Sequence, residues 1–337
     1  MTDLGAPAPG TVRVRPDLAA LAARLPRRPL TRFAPSPTGD LHLGHVVNAL
    51  YVWGLARALG GRVLLRIEDH DRERYRAEYE SAILADLAWL GLEPDATEAT
   101  GGRPLVRQRD CEATYESALQ RLRSQGLIYA CGCSRREIGN AGAARGELRY
   151  PGTCRLRRLP GAGNGLRAQI APGTERFHDG LRGEQVQEPA AQCGDVLVRD
   201  RAGQWTYQFA VTVDDMLQGV DLVVRGADLL PSTGRQIRLA RLLRRPAPAV
   251  FLHHPLLLGP TGSKLSKANR DPGISELRRG GMSAREVLGL AAARAGLAAP
   301  DAAIEPGEGR RDKRGALMTR RPGGGGGAGP GRGRRLD

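Results

Sequence analysis

Residues 30–45, LTRFAPSPTGDLHLGH, have the pattern of a strand that runs through a rigid loop into a helix. Pro35 and Pro37 fix the backbone angle φ and remove two backbone donors, which makes the loop rigid. Apolar residues then recur with a helical period from Val46 until two consecutive glycines, which suit the end of a helix. We therefore expect a helix whose N-terminus faces this loop.

Two histidines, His42 and His45, stand at the start of the expected helix. The unpaired N–H groups and the positive end of the helix dipole attract anions there, and histidines three residues apart add two donors beside them. A polyphosphate is the natural ligand of such a turn. The pair is equally compatible with a polar cap that binds nothing, so the histidines alone leave both interpretations open.

The whole run resembles the HIGH signature of class I aminoacyl-tRNA synthetases, and RFAPSPTGDL at 32–41 resembles the glutamyl and glutaminyl branch of that family. A second run, GPTGSKLSK at 259–267, resembles the KMSKS loop that closes over ATP in the same family. It is not a P-loop, because Ser263 separates the last glycine from Lys264. Only three of the 51 basic residues are lysines, and two of them lie here, which favours a role that a guanidinium does not fill.

Length and composition are compatible with one large α/β domain and a smaller one, since the chain has 337 residues of which 41% are hydrophobic. No run approaches 18 apolar residues, and the N-terminus lacks the apolar core of a signal peptide. We expect a cytoplasmic protein without membrane contact and with reduced cysteines. The formal charge of +15 indicates an anionic partner such as nucleic acid, although an arginine-rich composition alone produces the same value.

The chain divides into five expected segments. They are an N-terminal extension (1–28), a first Rossmann half (29–130), a zinc-binding insertion (131–194), a second half with the KLSK loop and a helical end (195–300), and a basic glycine-rich tail (301–337) too poor in apolar residues to fold. The expected elements are a short helix at 17–24, buried strands at Arg62–Ile67 and 222–225, helices at 72–90, 109–125 and 232–244, a hairpin of 195–200 with 204–207, and helices at Ile274–Arg279 and 284–295.

Three polar residues at expected element ends are ambiguous when taken by themselves. Glu68 follows a buried strand, where it suits either a ligand ammonium or an acidic helix start; Tyr207 suits the core, and Arg225 the surface. The family resemblance assigns all three to substrate. The glutamate-binding set that it implies is Arg32, Phe33, Ala34, Pro35, Ser36, Glu68, Tyr207 and Arg225. The ATP-binding set that it implies is His42, His45, Lys264, Leu265, Ser266 and Lys267, of which both histidines and both lysines are catalytic.

Three cysteines and a tyrosine are spaced as ligands of one ion: Cys131 and Cys133 are followed by Tyr150 and, four residues later, Cys154. Spacing alone leaves open both a zinc site and unliganded buried thiols. In the small proteins akin to glutamyl-tRNA synthetase this arrangement is the zinc site of an inserted domain, and all four positions match here. The remaining Cys111 and Cys193 are expected to be core thiols.

The resemblance covers about residues 28–295 and implies an α/β fold, a class I Rossmann-type parallel sheet split by a small zinc-bearing insertion domain. It is strongest to the shortened glutamyl branch, since the 70 residues after Lys267 are too few for anticodon-binding domains. It implies an ATP-dependent ligase that activates glutamate without tRNA, assisted by Mg²⁺, and transfers it to queuosine in the anticodon stem-loop of tRNA(Asp). Two alternatives stay open, namely a shortened enzyme that charges tRNA(Glu) and a non-catalytic paralogue that binds nucleotide or RNA.

Overall fold

The computed structural model describes residues 16–140, 143–144, 147–257 and 272–298. The lysine-bearing run 259–267, with Lys264, Leu265, Ser266 and Lys267, lies outside the described residues. The expected tail 301–337 and the first 15 residues of the expected extension lie outside them as well.

The described residues form twelve strands and ten α-helices. The strands are β1 (Leu30–Phe33), β2 (Arg62–Ile67), β3 (Leu105–Arg107), β4 (Ile128–Cys131), β5 (Ala143–Ala144), β6 (Glu147–Leu148), β7 (Gly165–Ala168), β8 (Glu175–Asp179), β9 (Gly183–Gln187), β10 (Val196–Arg199), β11 (Leu222–Gly226) and β12 (Val250–His254). The helices are α1 (Leu18–Ala22), α2 (Leu43–Ala58), α3 (Ala77–Trp89), α4 (Glu112–Ser124), α5 (Arg135–Asn140), α6 (Pro189–Gln192), α7 (Tyr207–Leu217), α8 (Thr233–Leu242), α9 (Ile274–Arg279) and α10 (Ala284–Arg294).

The main sheet has seven strands in the order β3-β2-β1-β11-β12-β8-β9. All neighbouring pairs are parallel except β8 and β9, which form an antiparallel hairpin at one edge. Strand β2 is buried along almost its whole length, as a parallel strand covered on both faces must be. The predicted α/β fold with a mostly parallel sheet is confirmed.

Helix α2 packs against this sheet and forms the largest apolar core together with strands β1 and β2. Trp53 of the helix contacts Phe33 of β1, with 5.3 Å between the ring centroids. The helix begins at Leu43 and not at Val46, because His42 caps it. The last residues of 30–45, which we call the signature run, therefore form its first turn. Both predicted histidines therefore belong to the helix start.

Two other elements differ from the sequence-based expectation. Helix α3 begins at Ala77 rather than at 72, because the preceding loop turns back to the signature run, where the N–H of Arg76 donates to the Pro37 carbonyl at 3.2 Å. The expected hairpin around 200 is present but short: Arg199 and Trp205 form an antiparallel bridge, and the N–H groups of Asp200 and Thr206 donate to the carbonyls of Gln204 and Val198 at 2.9 and 3.1 Å. Tyr207 is the first residue of α7 and not part of a strand, since the Thr206 carbonyl already accepts helical hydrogen bonds.

A second, three-stranded antiparallel sheet in the order β10-β7-β4 carries the cysteine-rich region. Of the segment predicted as an insertion, 131–194, the strands β8 and β9 belong to the edge of the main sheet, where Asp179 pairs with Phe251. The smaller sheet and the main sheet are thus interleaved in the chain. Among the described helices, none combines the length and apolar character needed to cross a bilayer.

Candidate active site

A cavity of about 210 Å³ opens at the carboxyl ends of β1, β2 and β11, against the N-terminal end of α2. Parallel sheets bind their ligands at this edge, where neighbouring strands come from distant parts of the chain. Strands β1 and β11 are parallel neighbours, with Thr31 paired to Leu222, so their carboxyl ends lie side by side at this edge. Seven residues predicted for substrate or ATP line the cavity: Arg32, Ala34, His42, His45, Glu68, Tyr207 and Arg225.

The two histidines cap α2 through their Nδ1 atoms. Nδ1 of His42 accepts from the Gly44 N–H, and Nδ1 of His45 accepts from the His42 N–H, both at 3.1 Å. A neutral imidazole that accepts at Nδ1 carries its proton at Nε2 and donates there. The helix start therefore presents two imidazole Nε2 donors together with the positive end of the helix dipole, and this combination suits phosphate oxygens.

Arg32 is held at the cavity wall by an aspartate of α7. Its Nε donates to Oδ1 of Asp215 at 3.0 Å, and its Nη1 donates to the Val224 carbonyl at 3.3 Å. Burial alone would raise the pKa of Asp215, but the charges and hydrogen bonds of Arg32 and Arg66 lower it to about 2. Asp215 is therefore an ionised anchor for Arg32 at neutral pH.

Arg225 is 3% exposed, and its hydrogen-bond partners are neutral groups. Its Nη1 donates to Oε1 of Gln236 at 2.7 Å, its Nη2 to the Thr233 hydroxyl at 2.8 Å, and its Nε to Nε2 of His253 at 3.0 Å. Nδ1 of His253 lies 2.6 Å from Asp179, so the ring donates to that carboxylate and accepts from the guanidinium. Burial lowers the pKa of His253, which agrees with a neutral ring.

Glu68 and Tyr207 both line the cavity, and the charge of Glu68 affects the Tyr207 phenol. The Glu68 N–H donates to the Pro35 carbonyl at 3.0 Å, and its Oε1 accepts from Nη2 of Arg66 at 3.2 Å. Burial, and then the charge of Glu68, raise the pKa of Tyr207 to about 12. The phenol thus keeps its proton and remains a hydrogen-bond donor.

Three residues of the predicted glutamate-binding set are not among the described residues that line the cavity. Phe33 packs its ring in the core against Trp53, Pro35 uses its carbonyl to fix Glu68, and Ser36 is exposed. Their part in substrate binding stays a prediction, as does that of the lysine-bearing run.

Several residues in or behind the cavity wall were not predicted as site residues, and the sequence favoured a structural role for His253 and His254. His254 lines the cavity, stacks on Tyr51 and bonds to Asn48, whereas Asp215 and His253 hold the two arginines in place. The sequence did contain a signal, because two consecutive acids inside the apolar run 207–217 are costly to bury without cationic partners.

A second cavity, of about 340 Å³, is linked to the first through the contact of one of its lining residues with Tyr207. His70 lines it and contacts the Tyr207 ring, with 6.2 Å between the ring centroids. Three arginines, Arg72, Arg109 and Arg199, also line it, together with Trp205 and Tyr115. Glu112 lines it as well and pairs with Arg72 and Arg199, while Arg109 pairs with Asp69. This second cavity is therefore rich in arginine and aromatic side chains, with its positive charge partly balanced by carboxylates.

The predicted metal ligands come together at the end of β4. The sulfur atoms of Cys131, Cys133 and Cys154 lie within 4.8 Å of one another, close enough to hold one metal ion. The Tyr150 hydroxyl lies 3.4 Å from the sulfur of Cys131 and accepts from the Cys154 N–H at 2.8 Å. Cys193 is buried and Cys111 partly buried, outside this cluster.

Comparison with known proteins identifies the family. The model for class I tRNA synthetases (E and Q), catalytic domain, matches residues 30–299. The chain is 42% identical over 280 residues to the glutamyl-Q tRNA(Asp) synthetase of Nitratidesulfovibrio vulgaris, across 79% of this chain and 86% of that protein. The chain belongs to the glutamyl-Q tRNA(Asp) synthetase family. Its members are class I synthetase-type ligases, so the predicted family and enzyme class are confirmed.

Other relatives agree with this assignment. The glutamyl-Q tRNA(Asp) synthetase of Symbiobacterium thermophilum is 42% identical over 291 residues, across 82% of this chain and 90% of that protein. Among solved structures, a glutamate tRNA ligase from Elizabethkingia meningosepticum in complex with its amino acid is 28% identical, with a TM-score of 0.65. That match covers 79% of this chain and 60% of the longer ligase, so the chain spans less than two thirds of it.

Proposed function

We propose that this protein activates glutamate with ATP, without tRNA, and then transfers the glutamyl group to queuosine in the anticodon of tRNA(Asp). The observation that carries the proposal is Arg225, a buried guanidinium that faces the cavity with neutral hydrogen-bond partners. A buried cation of this kind favours an anionic ligand. Glu68, on the wall of the same cavity, suits a ligand ammonium. An amino acid with an acidic side chain satisfies both.

Glutamate has two carboxylates, and the cavity wall carries two guanidinium groups. Arg225 and Arg32 each take one carboxylate, Glu68 takes the ammonium, and the protonated Tyr207 donates a further hydrogen bond. The two arginines are fixed by Asp215 and by the His253 network before substrate arrives. Such preorganisation supports activation in the absence of tRNA, since no further contact is needed to assemble the pocket.

Activation joins glutamate to the α-phosphate of ATP. An oxygen of the α-carboxylate of glutamate attacks the α-phosphorus. The bond from that phosphorus to the oxygen that bridges to the β-phosphate breaks, and pyrophosphate leaves. The chain supplies no nucleophile, so its contribution is positioning and charge stabilisation. The Nε2–H donors of His42 and His45 and the start of α2 serve the phosphates, with Lys264 and Lys267 as further cations. Mg²⁺ carried by ATP supplies additional positive charge at the phosphates.

Transfer requires a nucleotide acceptor next to the activated glutamate. The second cavity, rich in arginine and aromatic side chains, offers such a place, because Arg72, Arg109 and Arg199 are partly exposed and can exchange their carboxylate partners for phosphates. A queuosine hydroxyl then attacks the glutamyl carbonyl carbon, an ester forms, AMP leaves, and the hydroxyl proton passes to solvent. The names of the relatives, which are 42% identical over most of their length, support tRNA(Asp) as the acceptor.

We also propose that the metal site holds one structural zinc ion. Three thiolates and a phenolate, from Cys131, Cys133, Cys154 and Tyr150, give a four-ligand set, and zinc prefers sulfur ligands in tetrahedral sites. The ion would tie the end of β4 to the loop that carries Tyr150 and Cys154. No catalytic step is assigned to it.

Two assays test the enzymatic proposal. Glutamate-dependent exchange of labelled pyrophosphate into ATP should proceed without tRNA. Labelled glutamate should then enter tRNA(Asp) that carries queuosine, and its isolated anticodon stem-loop, but not tRNA(Asp) with guanosine at the wobble position. The isolated stem-loop is the control for attachment at a 3′ end.

Each contrary result points to a defined alternative. Equal labelling of both tRNA(Asp) preparations, or preferential labelling of tRNA(Glu), would identify a shortened synthetase that charges tRNA(Glu). Folded protein without any exchange activity would identify a non-catalytic binder.

A further inference from the structure

Arg66 is a fully buried charge near the carboxyl end of β2. A buried guanidinium is costly unless ionic and polar partners surround it. Its Nη1 donates to Oδ1 of Asp215 at 2.8 Å and to Oε1 of Gln218 at 2.9 Å, and its Nη2 donates to Oε1 of Glu68 at 3.2 Å. Its Nε lies 3.7 Å from Oδ2 of Asp214. One side chain thus joins three carboxylates and an amide.

Two of these carboxylates belong to the proposed glutamate pocket. Glu68 lines the cavity itself, and Asp215 anchors Arg32, whose guanidinium lines the cavity. Oδ1 of Asp215 accepts from both arginines, at 3.0 Å from Nε of Arg32 and at 2.8 Å from Nη1 of Arg66. Arg66 itself is not among the described residues that line the cavity. It therefore reaches the ligand only through its partners.

We infer that Arg66 is a positioning residue that fixes the ammonium-binding carboxylate of Glu68 and, through Asp215, the carboxylate-binding Arg32 at a set distance from each other. This inference rests on the proposed function, because it assumes that the cavity binds an amino acid with an acidic side chain. It adds that the ammonium-binding side and the carboxylate-binding side of the pocket are both held by the buried guanidinium of Arg66.

The geometry requires arginine in particular. Nη1 and Nη2 point to different carboxylates while Nε faces a third, so the planar guanidinium spans the whole cluster. A lysine ammonium keeps the charge but is a compact point that does not reach Asp215 and Glu68 in the same way. Substitution by lysine therefore removes the geometric role with the least change in charge.

The test is Arg66→Lys, examined by steady-state pyrophosphate exchange and by thermal unfolding. The KM for glutamate should rise roughly tenfold or more, because misplaced binding groups weaken the fit to the amino acid, while the KM for ATP should stay within about twofold. The matched control is Arg107→Lys on the neighbouring strand β3, where the Nε of Arg107 pairs with Glu80 at 2.6 Å away from the cavity. Both KM values should be unchanged in this control.

A second variant covers the case in which Arg66→Lys does not fold. Gln218→Met removes one neutral contact from Arg66 and leaves every charge in place. It should raise the KM for glutamate by roughly two- to threefold and leave the KM for ATP unchanged.

The outcomes separate the inference from the proposed function. A purely structural role for Arg66 lowers the unfolding temperature and the active fraction without changing the ratio of the two KM values, and that result would overturn the inference. If Arg66→Lys does not fold, an unchanged glutamate KM in Gln218→Met would overturn it. Wild-type protein that shows no glutamate-dependent exchange would instead refute the proposed function.

Discussion

At the scale of single residues, the candidate site is built from buried charges whose partners are far away in the chain. Arg225 is held by His253, 28 residues away, and His253 by Asp179, 74 residues away. Family resemblance places Arg225 in the site, but no pattern in the sequence points to the residues that hold it. Sequence spacing predicts helix and strand neighbours, whereas these hydrogen bonds depend on the order of strands in the sheet.

The first residue-scale prediction concerns Arg225→Lys. We expect the KM for glutamate to rise by about 100-fold with the KM for ATP nearly unchanged. A lysine ammonium does not reach both Gln236 and Thr233 as the guanidinium does, and it does not present two parallel donors to a carboxylate. The measurement is pyrophosphate exchange at varied glutamate. The matched control is Arg238→Lys on α8, which carries an ion pair with Glu175 outside the cavity. Equal effects of the two substitutions would contradict the role of Arg225.

A second residue-scale prediction uses the pH dependence of stability. Burial lowers the pKa of His254 to about 4, against 6.5 for an ordinary histidine. Between these two pKa values the unfolded state binds a proton at His254 and the folded state does not. The stabilising contribution of the neutral ring to folding is therefore complete above pH 6.5 and is lost as the pH falls towards 4. Between these values wild type should lose roughly 1 kcal/mol more stability per pH unit than His254→Gln.

Denaturant unfolding at a series of pH values measures this difference. His178→Gln is the control, since the side chain of His178 is 28% exposed and lies outside the cavity. Parallel pH profiles of wild type and His254→Gln would show that His254 is protonated equally in both states.

At the scale of elements, the start of α2 depends on a glycine. A Cβ on Gly44 would lie 2.9 Å from Cε1 of His42, so alanine at this position pushes the capping ring aside. We expect Gly44→Ala to lower turnover by about 10- to 100-fold, because a displaced imidazole loses its aim at the phosphates. Stability should change by less than about 1 kcal/mol, since alanine favours the helix while the cap is weakened.

Turnover and unfolding measured on the same preparation separate these effects. Gly139→Ala in α5 is the matched control, because a Cβ there meets Leu148 at an ordinary 3.5 Å. A free energy of unfolding that falls by well over 1 kcal/mol in Gly44→Ala would indicate general disruption of the helix and would contradict a specific effect on the His42 ring.

The cysteine-rich region gives a second prediction at this scale. Purified protein should contain about one equivalent of zinc, Tyr150→Phe should retain it more weakly, and Cys154→Ser should also destabilise the region, because it removes a thiolate from the ligand set. Metal analysis and thermal unfolding with and without a chelator measure these effects. Cys193→Ser is the control thiol outside the cluster. Metal-free protein with full thermal stability would remove the assignment.

Elements near strong local signals were predictable, and those set by tertiary contacts were not. Strand β2 and helices α2, α4, α9 and α10 follow from apolar periodicity and glycine stops. The hairpin of β8 and β9 joined the edge of the main sheet although its sequence reads as part of the insertion, because a parallel neighbour, β12, is formed by residues that follow much later. Arg66 was missed because an arginine in an apolar strand reads as a solvent-facing residue when its acidic partners are unknown.

At the scale of the whole molecule, the family followed from two motifs, at 30–45 and 259–267, and one model of a class I tRNA synthetase catalytic domain matches a stretch that contains both. The charge is less specific. Residues 308–337 contain nine Lys and Arg against three acids, which gives +6 of the total of +15 and leaves +9 for the rest of the chain. Excess positive charge in either part favours RNA, and composition does not tell which part contributes more to RNA binding.

The last prediction separates these two contributions to RNA binding. Replacing the nine basic residues of 308–337 by glutamine keeps the length of the chain but removes nine cations. Each cation that neutralises an RNA phosphate releases a counterion, so the slope of log K against log salt should become less negative by roughly 2 to 4, as expected for a partly engaged set of contacts. The measurement is tRNA(Asp) binding at several salt concentrations, with deletion of 308–337 as a comparison that should give the same slope. Glutamate-dependent pyrophosphate exchange without tRNA should be unchanged, because the residues that line the cavity all precede this segment. An unchanged slope would assign RNA attraction to the remaining +9, and a loss of exchange activity would show that residues 308–337 contribute to the catalytic domain.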